Sequence, residues 1–358
     1  MKYFFLFLLT FTLQVFTGQW VQEYKRALQT KNYIKMDEVL KQRTYYADWR
    51  SDMPKVVLLA AQYNHAAVIE LCRQENISVD SLSADGATPL MVACYCGNVD
   101  FVKKIIKIGA AINYSDTTGW TPLLCAVDQE HAEIVGLLLQ EGASTELFNE
   151  LGLSPLLCAA DKGAIKIVQL LLQHGADINQ CNDDGWTALH CAVDANNKEM
   201  VMLLLTNGAE INRKNKLGKT VVHAAVYKNS ISMLNLLLTN SADPNAQDVD
   251  GITPLMVAIF ENYTEIVDLL LPLSCLNNQS LWGWTALHFA VHCGNAAYMQ
   301  KLIAAGATID STDHVGCTPL IIAAVNKKNM LMNMLIDAGA DSDHKDIFYK
   351  TADDWYIS

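Results

Sequence analysis

The side chains of this chain that could serve as nucleophiles, general bases or metal ligands are ten cysteines, nine histidines and 38 acidic residues. A metal shell gathers several such ligands at short separations, as in paired Cys-x-x-Cys elements; here they are scattered. His131, His174 and His292 have no ligand at a fixed spacing, and His344 stands two residues before Asp346, a lone pair in a polar tail. His190, His223 and His288 share one position of an internal repeat and read as structural. No phosphate-binding glycine loop, nucleophile elbow, His-Glu-x-x-His helix or kinase string occurs. The reading is of a chain with no catalytic residue, no cofactor site and no metal site. Three cysteines, Cys125, Cys158 and Cys191, recur every 33 residues. Equivalent places on packed helices stand about 10 Å apart, beyond the roughly 7 Å between Cα atoms that a disulfide spans. They read as small buried hydrophobes. The spacing of Cys72, Cys94, Cys96, Cys181, Cys275, Cys293 and Cys317 suggests no disulfide connectivity either, a pattern of reducing compartments.

The elements that must position these residues are repeats. The string Gly-x-(Thr/Ser)-x-(Leu/Val) starts at Gly86, Gly119, Gly152, Gly185, Gly218, Gly251, Gly283 and Gly316, at intervals of 33 residues with a single 32. Alanine recurs in phase from Ala27 to Ala323 and brings 22–85 into the array; Thr351 opens one more unit. Thr88 and its equivalents suit helix N-caps, and the proline after five of them suits the first helical position. Gly109, Gly142, Gly175, Gly208, Gly306 and Gly339 suit the left-handed stop of a second helix. Asn76 holds that column, whereas Ser241 and Ser274 depart from it and predict looser ends. The expected segments are 1–18, a leader; 19–52, a degenerate capping repeat; 53–85, a degenerate repeat; 86–348, eight repeats; and 349–358, a truncated cap.

These motifs resemble the ankyrin-repeat family, whose Thr-Pro-Leu-His-x-Ala string and period they match over about 22–358, strongly in eight repeats. The resemblance implies an all-α solenoid of about ten stacked ankyrin repeats, each two antiparallel helices and a β-hairpin loop. It also implies a concave face and hairpin tips as contact surfaces. The motif's histidine is present at His190, His223 and His288 and replaced by Met91, Leu124, Leu157, Met256 and Ile321. Hydrogen bonding between repeats should yield to apolar packing at those five.

Composition bounds the function. The chain is 51% apolar, 18% charged and carries a net charge of −12, which excludes disorder and opposes general affinity for nucleic acid or a polybasic lipid-binding role. Met1–Phe16 place one lysine before an apolar stretch of about 13 residues, short of the roughly 20 that span a bilayer, followed by Thr17-Gly18-Gln19. That order predicts a secretory signal peptide. Sequons at Asn76, Asn113, Asn262 and Asn278 agree with export, while the cysteines point to action in a reducing, cytosolic site. Two columns suggest where a partner protein docks. Asp128, Asp161 and Asp194 should form a carboxylate ladder, continued by Tyr227, Phe260 and His292, suited to a partner with a basic surface. Trp120, Trp186 and Trp284 follow the motif glycine and divide between packing and contact. Arg213–Lys219 forms a local basic tip, most simply a solvated one. The expectation is an exported, monomeric, non-enzymatic binding scaffold. A membrane-tethered or membrane-acting protein and an intracellular scaffold are the alternatives.

Overall fold

A computed structural model describes residues 19–43 and 49–357; the predicted leader 1–18 lies outside the described residues. Each motif threonine begins a helix through its hydroxyl. Thr88 accepts the Met91 N–H at 3.3 Å, Thr121 the Leu124 N–H at 3.2 Å, and Ser154 the Leu157 N–H at 3.4 Å. Where the motif keeps its histidine the cap closes in both directions. The Thr187 N–H donates to His190 Nδ1 at 3.3 Å while Thr187 Oγ1 accepts the His190 N–H, and the same capping box forms at Thr220 and Thr285. The far nitrogen then bridges repeats: His223 Nε2 donates to the Ile252 carbonyl at 3.1 Å and His288 Nε2 to the Cys317 carbonyl at 3.2 Å.

The helices fall into two compact units, one ending at Asn182 and one beginning at Asp183. The N-terminal unit runs α1 (Gln19–Gln29), α2 (Tyr33–Lys41), α3 (Trp49–Gln62), α4 (Ala67–Gln74), α5 (Pro89–Cys96), α6 (Val99–Lys107), α7 (Pro122–Asp128), α8 (Ala132–Gln140), α9 (Pro155–Lys162) and α10 (Ile165–Gln173). The C-terminal unit runs α11 (Ala188–Asp194), α12 (Lys198–Thr206), α13 (Val221–Tyr227), α14 (Ile231–Thr239), α15 (Pro254–Phe260), α16 (Thr264–Leu270), α17 (Ala286–Cys293), α18 (Ala296–Ala304), α19 (Pro319–Val325), α20 (Asn329–Asp337) and α21 (Ala352–Ile357). Within each unit first helices pack on first helices, and in the N-terminal unit second helices also pack on second, the stacking of an all-α solenoid. The phased alanines line that seam. From Ala60 to Ala323 every one of them is fully buried, because a larger side chain there would push neighbouring helices apart. Second helices bury an aliphatic stripe, as Ile134, Val135 and Leu138 do in α8.

Helix ends mostly follow their residues. Gly109, Gly142, Gly175, Gly208, Gly306 and Gly339 all adopt positive φ. Ser241 keeps that left-handed geometry at φ 67°, with the Ala242 N–H still donating to the Leu237 carbonyl at 3.0 Å, so its helix ends as tightly as its neighbours. Ser274 does depart: Pro272 draws the end of α16 into a 3-10 turn, Leu271–Leu273, and Ser274 is extended. The loops are hairpins reduced to their turns. Apart from a single β-bridge at Cys181 and Thr187, each is a tight turn with no extended strands, closed at Asp116–Trp120 by the Asp116 N–H donating to the Trp120 carbonyl at 3.0 Å. The Asp116 carboxylate accepts the Thr118 and Trp120 N–H groups at 2.9 Å, satisfying inside one residue the donors a partner strand would take.

The N-terminal end has a core of its own. Trp20, Val21, Tyr24 and Leu28 of α1 are buried, and the Tyr24 hydroxyl lies 2.6 Å from His65 Nδ1. Outside it, Arg43 and Arg50 both reach Glu75, at 2.7 and 2.9 Å, and both lie over the Trp49 ring. The expected boundary between 52 and 53 falls inside α3, which starts about two turns before its repeat equivalents.

Candidate functional site

Short first helices set the geometry of the candidate surface. The seventh residue past the cap falls in the last turn of a helix of seven or eight residues. Asp128 thus ends α7, Asp161 lies in the last turn of α9 and Asp194 ends α11. Tyr227 and Phe260 end α13 and α15, and His292 lies in the last turn of α17. Asp161, Asp194, Tyr227, Phe260 and His292 are exposed and Asp128 is half-buried.

Two of the carboxylates are met by lysines from the next repeat. Asp128 pairs with Lys162 at 2.9 Å in the N-terminal unit and also accepts from Gln129 Nε2 at 2.7 Å. Asp194 pairs with Lys228 at 2.9 Å in the C-terminal unit. Sequence reasoning missed these lysines, although both stand one residue past the acidic and aromatic column. The exposed Asp194–Lys228 pair holds about 0–1 kcal/mol, so an incoming cation can displace that lysine at little cost, while Asp128–Lys162 is more shielded. The aromatic members are engaged differently. Lys219 Nζ lies 4.4 Å above the Tyr227 ring, the His292 ring lies 5.1 Å from Trp284, and Phe260 is open to solvent.

The tryptophan column is mainly packing. Trp120 is buried, while Trp186 and Trp284 keep part of each ring exposed. Trp186 tilts against His190, with ring centres 5.8 Å apart, and Trp284 packs on Phe289 at 5.3 Å while its Nε1 donates to Asp313 at 3.3 Å.

Burial decides what the titratable groups can do. It pulls the imidazole of His190 down to about 4 and lowers His223 and His288 as well, so the three capping histidines are neutral at pH 7. All ten cysteines are thiols. Burial raises Cys72 and Cys96 to about 11, Cys317 to about 12, and Cys94 and Cys125 well above the ordinary thiol range. Thiols so raised carry almost no thiolate and are poor nucleophiles. Among the described residues no three His, Cys, Asp or Glu side chains come together as a metal shell.

The sequons differ in freedom. Asn76 is exposed at the end of α4 with φ 51°. Asn113 bridges loops, accepting the Ser144 N–H at 2.8 Å and donating to the Gly142 carbonyl at 3.2 Å. Asn262 accepts from Asn295 at 3.0 Å, and the hydroxyl of Ser280, third residue of the Asn278 sequon, is buried and accepts two backbone N–H groups. A second group of residues also escaped the sequence reading: the exposed apolar side chains on turns of the C-terminal unit, Leu281, Trp282 and Phe348 among them. The signal was present in the columns just before each motif glycine.

Stacked pairs of short helices, threonine caps and one turn per repeat define the class of the protein. A family model described as ankyrin repeats (three copies) matches residues 57–149, 144–215, 209–280 and 273–346. The chain belongs to the ankyrin-repeat family. Among curated proteins it is similar to the mitochondrial disaggregases of Bos taurus, 35% identical over 72 residues, and Homo sapiens, 36% identical over 70 residues. Each match covers 19% of this chain, and the chain spans only 11% and 10% of those relatives. Among solved structures it is similar to the ankyrin repeat domain of Bcl-3, a unique member of the IkappaB protein family. The TM-score is 0.52 at 29% identity, over 56% of this chain and 92% of that one. Ankyrin-repeat domains generally serve as scaffolds for contact with other proteins, and no helix among the described residues is long and apolar enough to cross a membrane.

Proposed function

We propose that this chain is an exported, non-enzymatic scaffold of about ten ankyrin repeats that binds one partner protein as a monomer. The observation that carries the reading is the column at the ends of the first helices. The repeat fold does not use those side chains in its core, yet they are acidic at Asp128, Asp161 and Asp194 and aromatic at Tyr227 and Phe260. A partner with a basic surface satisfies the acidic members by displacing Lys162 and Lys228, and covers the aromatic ones by apolar contact. Export is supported by the leader-like Met1–Gly18 and the sequons, and a reducing site of action by ten cysteines of which none forms a disulfide.

Reversing Asp128, Asp161 and Asp194 together to lysine tests the surface. Partner binding should weaken and lose part of its salt dependence; unchanged affinity and unchanged salt slope remove the proposal. Sequencing the N-terminus of mature protein tests export, with a start near Gln19 expected and retention of Met1 against it.

A further inference from the structure

After a first turn that carries the exposed Asp183 and Asp184, five successive turns of the C-terminal unit carry apolar side chains outward, just before the left-handed residue of each turn. Leu217, Val249, Leu281, Trp282, Val315 and Phe348 are all exposed, Trp282 at 57% and Phe348 at 61%. The last turn adds Ile347 and Tyr349, the latter at 82%. The fold does not require this. At the same turn positions of the N-terminal unit stand Ala84 and Asp85, Thr117 and Thr118, and Glu150 and Leu151, and those turns close equally well. Exposed apolar residues gathered in one row mark a surface that meets something other than water.

The backbone beneath the row is already satisfied. Neighbouring turns are joined by the Val249 N–H donating to the Leu217 carbonyl at 3.0 Å, Leu281 to Asp250 at 2.7 Å, His314 to Trp282 at 3.1 Å and Ile347 to Val315 at 3.1 Å. Within the turns Asp248 accepts the Asp250 and Ile252 N–H groups, Ser280 those of Trp282 and Trp284, and Asp346 those of Phe348 and Lys350. Such an edge enters a low-dielectric interface without stranding its donors, the condition lipid imposes on any backbone it receives.

The side chains fit that environment. Trp and Tyr are favoured at headgroup level. Lysines stand at both ends of the row, Lys214 and Lys216 on its first turn and Lys345 and Lys350 on its last, with Asp250 between them and Asp183 and Asp184 on the polar turn before it; Lys214 also donates to the Gln247 carbonyl and Lys350 lies over the Trp355 ring. This arrangement complements anionic headgroups at the rim of an apolar centre. It does not complement a second copy, because antiparallel two-fold pairing would bring the two lysine-bearing ends together. We propose that this edge is a peripheral membrane-binding site, seating its turns at the boundary between the headgroups and acyl chains of a phospholipid bilayer. The apolar side chains supply most of the attraction and the lysines a smaller share, so binding persists in high salt despite the acidic balance of the chain. The site is distinct from the helix-end column proposed for a protein partner.

Flotation with phosphatidylcholine/phosphatidylserine vesicles tests the site on the full chain. The wild type should float with the vesicles and keep most of its binding in about 0.5 M NaCl, where exposed charges are screened within a few ångströms. Combining Leu281→Ser, Trp282→Ser and Phe348→Ser should lower the partition coefficient at least about tenfold, given the transfer free energy of three large side chains. Its circular dichroism and gel-filtration volume should stay unchanged. Leu151→Ser, an exposed turn residue of the N-terminal unit, should leave flotation intact. Brominated lipid should quench wild-type fluorescence more than that of Trp282→Phe. A wild type that does not float, or a triple variant that floats equally well, overturns the proposal. So does a concentration-dependent dimer that the triple variant abolishes, which would give the edge to a second copy.

Discussion

Two glycines of the C-terminal unit share a left-handed backbone but not a setting. Gly306 ends α18 at φ 95° with nothing within 4 Å of the place a Cβ would occupy. Gly283 sits in a turn at φ 82°, and a Cβ there would fall 2.7 Å from the His314 nitrogen and 2.8 Å from the Asp313 Cα. Gly306→Ala therefore meets only the left-handed penalty, about 1–2 kcal/mol. Gly283→Ala meets the same penalty and must also push one backbone off another. The displaced bonds are the His314 N–H to the Trp282 carbonyl at 3.1 Å and the Gly283 N–H to the Ser280 carbonyl at 2.9 Å. At about 0.5–1.5 kcal/mol for each bond, with the left-handed term added, Gly283→Ala should cost about 2–5 kcal/mol. Urea unfolding followed by circular dichroism measures the pair on the full chain. Amide exchange locates the loss, which should appear at Leu281, His314 and their neighbours in Gly283→Ala and around Ala307 in Gly306→Ala. Equal costs for the two variants would refute the reasoning, since the turns would then tolerate side chains and their contact would not be close packing.

Three further outcomes follow from burial and pairing. His190 titrates near 4 when folded against 6.5 for the ordinary imidazole. The unfolded chain therefore binds more protons between those values, and stability rises with pH across that window. The loss from pH 6.5 down to 4 is about 3 kcal/mol, and a urea series should show that slope flattened in His190→Leu. Alkylation of native protein should modify exposed Cys275 early, and Cys94 and Cys125 only on unfolding, read by intact and peptide mass; early loss of the two buried thiols contradicts their placement. Leu138→Ala empties a fully buried site in α8 and should cost about 2–5 kcal/mol in the same urea assay, whereas Asp128→Asn, which removes one partly exposed ion pair, should cost about 1 kcal/mol or less.

Much of the repeat was legible because its signals are local. A threonine hydroxyl three residues from the N–H it accepts, a proline at the first helical position and a left-handed residue at a helix end each act within a few bonds, so Thr88, Pro89 and Gly109 announce their roles in the string itself. The same locality made Asp128, Asp161 and Asp194 recognisable as one column. The lysine partners of Asp128 and Asp194 lie 34 residues away in sequence and became visible only when the next repeat stacked. Ser241 shows the reverse limit: its residue type predicts a loose end, yet the bond from Ala242 to Leu237 holds it left-handed. The loops between repeats are tight because Asp116 and its equivalents take up the turn donors themselves.

What the amino-acid order determined alone is the unit and its phase: where each helix begins, where it stops, and which alanines and leucines must face a neighbour. Tertiary structure decided what those units leave over. Stacking buries Trp120 but leaves part of Trp284 open, pairs Asp194 with Lys228, drives His190 neutral, and leaves Trp282 and Phe348 largely exposed on neighbouring turns. The reason is range. Caps and turns are made by atoms a few residues apart, whereas exposure, charge pairing and desolvation depend on which repeat arrives alongside.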